Sequence, residues 1–270
     1  NVVMNLFFVI VCGLGVAGVA IASAASQCIC AVLIIVSLLR SKENIALRPR
    51  ELKVSPDKAR FVLRLGIPAG FQNAIFAIAN LFIQSGVNSF DAVTVEGNSA
   101  AANSDALVYD VMNAFYTACS SFISQNMGAK KKKRMLQSYF ISLAYSFGAG
   151  AVLGLSLVVF GRQFLSLFTK DAAVMEAGMA RLRVMGFSYM VSAFMDNTIA
   201  ASRGLGKALV PTIIVILGSC VFRVVWVYTI FAYFHTIDSL YLLYVFSWTI
   251  TAVAEILYFA KSYRKLAATL

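Results

Sequence analysis

The sequence predicts an all-α integral membrane protein, a polytopic bundle of one partial and seven full transmembrane helices. Three observations predict it. The chain is 60% hydrophobic and 13% charged, with a mean hydropathy of +0.80, where a soluble domain would be about 45–50% apolar and 25% charged. Its apolar runs are continuous and roughly 18–25 residues long, the length of a spanning helix rather than a strand. Its basic residues gather in alternate gaps between those runs.

The spans read, in order, as 1–11 (partial), 16–39, 60–89, 97–128, 134–161, 172–202, 208–233 and 238–261. The first begins inside an apolar run at Asn1, without a Met and without a signal peptide, so the chain is expected to be a fragment with something upstream. The longest hydrophilic connection, 40–59, carries Pro49 and Pro56 and is the expected boundary between structural units. Ser55-Pro56-Asp57 reads as an N-cap, a proline in the first turn and an acid at the positive end of a helix. The helix that follows starts amphipathic at the membrane surface and then enters.

Alternation fixes direction once 40–59 is placed in the cytoplasm. That side then holds Arg40, Lys42, the basic residues up to Arg64, the block 130–134, Arg203, Lys207 and the C-terminal Lys261, Arg264 and Lys265. The outer side holds Arg162, Lys170, Arg181 and Arg183, and Arg223 lies within a span. The asymmetry sets the orientation, with the C-terminus also cytoplasmic, and explains the net charge of +11 without nucleic acid.

Polar residues inside the spans come in stripes. On 97–128, Asp110, Asn113, Thr117, Ser120 and Ser124 share one helical face, opposite Leu107, Val111, Ala114, Phe115, Ala118 and Phe122. On 60–89, Asn73, Asn80, Gln84 and Asn88 do the same, and on 172–202 Tyr189, Ser192 and Asp196 form a third stripe with Asn197 beside it. Side chains of this kind are costly against acyl chains, so the stripes predict a hydrated cavity in preference to interhelical hydrogen-bonding glue. Counting the helical rise puts Asp196 roughly 10 Å from Arg203 and Glu255 roughly 9 Å from Lys261, both near the cytoplasmic side. Arg223 lies about 20 Å into its helix and Asp110 about 27 Å from Gly128, so Asp110 matches Arg223 in depth better than Glu255 does. Arg223 and Glu255 are therefore second-tier or ion-pair candidates.

The five cysteines lie in apolar runs without metal-ligand spacing, His235 has no ligand partner, and no nucleophile–base constellation or phosphate loop is present. The sequence offers no catalytic residues, no metal site and no cofactor, and does not read as an enzyme.

Several segments together resemble the multidrug and toxic compound extrusion (MATE) transporter family: Leu65-Gly-Ile-Pro68 opening a helix, Gly97 to Asn103, Ser124 to Ala129 before the basic block, Ala201 to Lys207 with Pro211, and Asn1 with Gly15 to Ala22. That family has two six-helix lobes related by a pseudo-twofold axis. The resemblance implies that 1–39 is the end of the first lobe, 40–59 the cytoplasmic connection and 60–265 the second lobe. It implies a plasma (cytoplasmic) membrane antiporter that exports small organic, commonly cationic compounds in exchange for H⁺ or Na⁺. Its partners would be the lipid bilayer and the missing N-terminal lobe. Some members carry an acid where this chain has Gln72-Asn73-Ala74-Ile75-Phe76, so Asp196 and Asp110 are the acids left to take that part. The alternatives are a flippase for lipid-linked precursors, which would need several cavity arginines or lysines, and a non-transporting membrane scaffold.

Overall fold

The computed structural model describes residues 1–41, 46–51 and 53–269. Lys42 and part of the 40–59 connection lie outside the described residues. The chain divides into two compact units, Asn1–Ala59 and Arg60–Leu270.

In the first unit, α1 (Val2–Leu6) runs on through a π-helical turn to Val11, and α2 (Gly15–Arg40) follows. The turn between them needs Gly13 and Gly15, which adopt φ of +65° and +53°, a region that side-chain-bearing residues avoid. Gly18 lets the two segments touch, because a Cβ there would lie 3.0 Å from the Phe8 backbone. Asn1 donates to Ser26 Oγ at 3.0 Å and closes the pair.

The second unit is built from long helices. Helix α3 (Pro56–Val87) begins at Pro56 with Asp57 in its first turn, as the capping signal predicts, and carries Pro68 internally. Helix α4 (Ala92–Gly128) is capped by the Asp91 carboxylate, which accepts from the Thr94 amide at 2.9 Å. It follows that α4 starts five residues earlier than its apolar run suggests. After α5 (Lys132–Val159) and the single turn α6 (Gly161–Leu165), Asp171 caps α7 (Ala172–Gly204) through the amides of Ala173 and Val174.

The next segment is read from sequence as one helix. It is one continuous span, Leu209–Phe234, in which α8 (Leu209–Val215), α9 (Phe222–Trp226) and α10 (Ala232–Phe234) are joined by π-helical turns at Ile216–Val221 and Val227–Phe231. Such turns widen a helix and shift which side chains face inward, and Arg223 lies between the two. The last helix is α11 (Ile237–Thr269).

Among the described residues, five segments are long and apolar enough to cross a membrane on length and composition: Gly15–Arg40, Pro56–Val87, Lys132–Val159, Leu209–Phe234 and Ile237–Leu266. Helices α4 and α7 are as long but more polar. The reason is burial: 19 of the 33 residues of α7 are enclosed, because α4, α5 and α11 all pack on it. A helix surrounded by protein does not need a lipid-compatible face. Small residues permit this packing. A Cβ on Gly97 of α4 would lie 2.6 Å from the Val174 oxygen and 2.7 Å from the Gly178 nitrogen, and one on Gly154 of α5 would collide with the Gly186 carbonyl. Helix α3 stands further off. It reaches its neighbours through side chains, with Gln72 accepting from Arg203 Nη2 at 3.0 Å and Asn80 from Arg223 Nη1 at 3.4 Å.

Candidate functional site

Where α3 stands away from α7, α9 and α11, it leaves a cavity of about 470 Å³, within the range of small-molecule sites. Asn73 and Asn80 enter it from α3, Asp196 from α7 and Arg223 from α9, with Phe76, Tyr109, Tyr244 and Trp248 supplying aromatic wall. A larger groove at Arg60, Leu63, Arg64, Ile67, Pro68 and Leu209 is open and mainly apolar, its polar groups being two arginines of one helix.

The cavity has two guanidinium groups in different electrostatic states. Arg181 Nε donates to Asp105 Oδ2 at 2.9 Å, with both side chains buried. Its Nη1 donates to Asn98 Oδ1 at 3.1 Å, which also accepts from the Tyr241 hydroxyl at 3.2 Å. The Tyr189 hydroxyl donates to the Asp105 carbonyl at 3.1 Å. Arg181 is thus neutralised and held by hydrogen bonds to α4, one of whose acceptors, Asn98, is itself fixed from α11 by Tyr241.

Arg223 is 1% exposed and makes no ion pair among the described residues. It donates from Nε to Ser247 Oγ at 3.2 Å and from Nη1 to Asn80, and Nη2 has no partner among the described residues. The rings of Phe76, Tyr244 and Trp248 surround its guanidinium carbon at 5.0, 4.7 and 5.8 Å. Tyr244 also lies 5.7 Å from the Arg181 guanidinium carbon, so one ring serves both cations. Asp196 makes no hydrogen bond among the described residues and is the carboxylate in the cavity wall.

The structure therefore brings Asn73, Asn80, Asp196 and Arg223 together. Gln84 does not join them; it donates to Asn88 Oδ1 at 2.9 Å along its own helix. Tyr189 and Ser192 are enclosed in helix packing, with Ser192 Oγ donating to the Tyr189 carbonyl at 3.1 Å. Asp110, Asn113 and Thr117 lie on the exposed face of α4, and Asp110 is not the partner of Arg223. A carboxylate at that depth facing lipid would cost at least about 2.5 kcal/mol, so this face meets water or other protein. Glu255 is fully buried and both its carboxylate oxygens lack partners among the described residues.

Two functional residues were missed by the sequence reading. Arg181, assigned there to the outer side, is inside the bundle, and its partner Asp105 was not singled out. Signals for both exist. Asn98 and Asp105 are spaced by seven and share the inward face with Met112 and Cys119. Arg181 lies about 14 Å into α7, too deep for a helix end.

These features define a polytopic membrane protein with a polar, aromatic-walled internal cavity. The MatE family model matches residues 68–229, and the chain belongs to that family, one of transporters and not of enzymes. It is 26% identical over 217 residues to the probable multidrug resistance protein YpnP of Bacillus subtilis (strain 168), an alignment covering 79% of this chain and 48% of that protein. It is 28% identical over 187 residues to the probable multidrug resistance protein NorM of Bacillus thuringiensis subsp. konkukian (strain 97-27), covering 64% and 40%. The chain thus spans about half the length of the curated relatives it matches. The fold is shared with a crystal structure of MATE in complex with MaL6, at a TM-score of 0.89 and 20% identity over 98% of this chain and 60% of that one. A multidrug resistance MATE family transporter of the MOP superfamily in an outward-facing conformation matches with a TM-score of 0.88, at the same identity and coverage.

Proposed function

We propose that this chain forms part of a secondary active exporter of small organic compounds in the plasma membrane, driven by exchange for H⁺ or Na⁺. The observation that carries the reading is the cavity, in which Asp196, Asn73, Asn80 and Arg223 converge from three helices in a chain of the MatE family. The matched relatives named as multidrug resistance proteins point the same way. Asp196 is the coupling residue in this reading, since a carboxylate without a fixed partner can exchange a proton or Na⁺ for substrate. The remainder of the cavity would come from a further lobe, as the family resemblance implies. Residues 40–59, the block 130–134 and the C-terminus face the cytoplasm in this reading, on the strength of their positive charge.

The cavity weighs against the two alternatives. A flippase for polyanionic headgroups needs several open cations, and Asp105 has taken Arg181, leaving Arg223. A scaffold has no use for such a cavity. The fixed charges alone do not select a cation, because an open guanidinium stands beside the open carboxylate.

Efflux of ethidium or norfloxacin from vesicles bearing the full-length protein tests the reading, under an imposed pH gradient and separately under a Na⁺ gradient. One gradient should drive export, and Asp196→Asn should abolish it while leaving the protein inserted. Export that neither gradient drives, or that persists at the native rate in Asp196→Asn, would overturn it.

A further inference from the structure

Building on the transport reading above, we infer that the cavity selects aromatic compounds bearing an acidic group, with Arg223 as the residue that receives the acid. The first ground is a charge that makes no ion pair among the described residues, although Asp196 shares its cavity. A guanidinium deep in a membrane protein is expensive unless paired, and Arg181 nearby follows that rule with Asp105. Arg223 does not: its acceptors are a hydroxyl and an amide oxygen, both neutral, and its Nη2 hydrogens meet no acceptor among the described residues. A planar fork with a free edge is the group suited to a carboxylate, sulfonate or phosphate.

The second ground is independent. Phe76, Tyr244 and Trp248 form the kind of aromatic enclosure that takes organic cations by the attraction of ring faces for positive charge. Here that place is filled by a cation of the protein's own. An incoming organic cation would have to share the box with Arg223, against its repulsion. An aromatic acid meets the opposite situation, a ring wall for its ring and a cation for its acid. Arg223 is nearly inaccessible as the structure stands, and Phe76, which is partly exposed, is the ring whose rotation opens it. Asp196 is left free for the coupling ion or for a basic group on the same molecule.

Three probes of one shape and different charge separate the possibilities: 2-naphthoate, 2-naphthylmethylammonium and neutral 2-naphthylmethanol. Their binding is measured by calorimetry on the full-length protein in lipid nanodiscs. The native protein should bind naphthoate at least about tenfold more tightly than the ammonium, the worth of one charge-assisted hydrogen bond. Arg223→Gln should lose that advantage, leave naphthylmethanol unchanged and gain affinity for the ammonium; Arg223→Lys should keep part of it. If Arg223→Gln does not fold, Arg223→Lys and the native charge preference still decide. Tighter binding of the ammonium by native protein, or unchanged naphthoate affinity in a folded Arg223 variant, would overturn the assignment. Naphthoate that binds through Arg223 but crosses no vesicle membrane under either gradient would sink the transport reading and leave the acid site standing.

Discussion

Arg181 of α7 and Asp105 of α4, 76 residues apart, meet at 2.9 Å in the interior of the bundle, where the arginine is also fixed by Asn98. The pair ties the two helices at the level of the cavity and settles which of its two guanidinium groups remains open. Breaking a buried pair by removing one partner leaves a stranded charge, at a typical cost of about 3–5 kcal/mol. Asp105→Asn and Arg181→Gln should each destabilise on that scale, and the double variant by clearly less than the sum of the two. Chemical unfolding of the three variants in detergent checks this, and additive losses would show that the residues do not act as a pair.

Glycines on the α7 interface should be sensitive, and helical glycines with open space around them should not. Gly97→Ala places a methyl group against the Val174 and Gly178 backbones, which cannot rotate away, and should cost about 1–3 kcal/mol or more. Gly148→Ala meets nothing within 4 Å and should be neutral or slightly stabilising through its effect on the unfolded chain. Melting temperatures that fall equally in both variants would refute this account.

The Asp91 cap gives a pH dependence with a defined sign. Its carboxylate accepts from the Thr94 hydroxyl and then the Thr94 amide, which hold its pKa below the ordinary 3.8. A depressed folded-state pKa means that the cap contributes fully above 3.8 and is lost as the pH falls through the lower, folded value. Amide exchange at residues 92–95 should rise in Asp91→Ala at neutral pH. In the native protein it should rise relative to Asp91→Asn only in acid, because Asn caps without titrating. Equal exchange in Asp91→Ala and the native protein would remove the cap from the argument.

Glu255 should tolerate its amide. Both oxygens are buried without partners, so Glu255→Gln removes an ionisable group from an enclosed site and adds two hydrogens. The variant should melt at or above the native temperature. A marked drop would reveal a cation or hydrogen-bond donor that the carboxylate normally serves.

Some of this was legible in the residues. Helix α3 begins at Pro56 because the cap and the fixed φ of proline say so, and α7 spans nearly the residues that its apolar run indicates. Asn73, Asn80 and Asp196 could be picked as cavity residues because polar groups in a membrane helix have few affordable directions. Asp110 shows where that reasoning stops. Its stripe is real, but it lies on the exposed face of α4, while Asp105, five residues earlier and on the face it shares with Asn98, is the acid that faces inward.

What the sequence by itself determined is the class, an all-helical membrane protein of long apolar segments, and the polar groups that those segments carry, since helix length against the bilayer and backbone hydrogen bonding are local constraints. What only the tertiary structure decided is which face of each helix turns inward, and hence that Arg181 is spent on Asp105 while Arg223 is not. In a soluble protein hydrophobicity reports the buried face. In a membrane the lipid and the bundle interior are both apolar, so burial leaves little trace in the pattern. The close glycine contacts of α7 and the π-helical turns around Arg223, set by neighbours distant in the chain, choose the face instead.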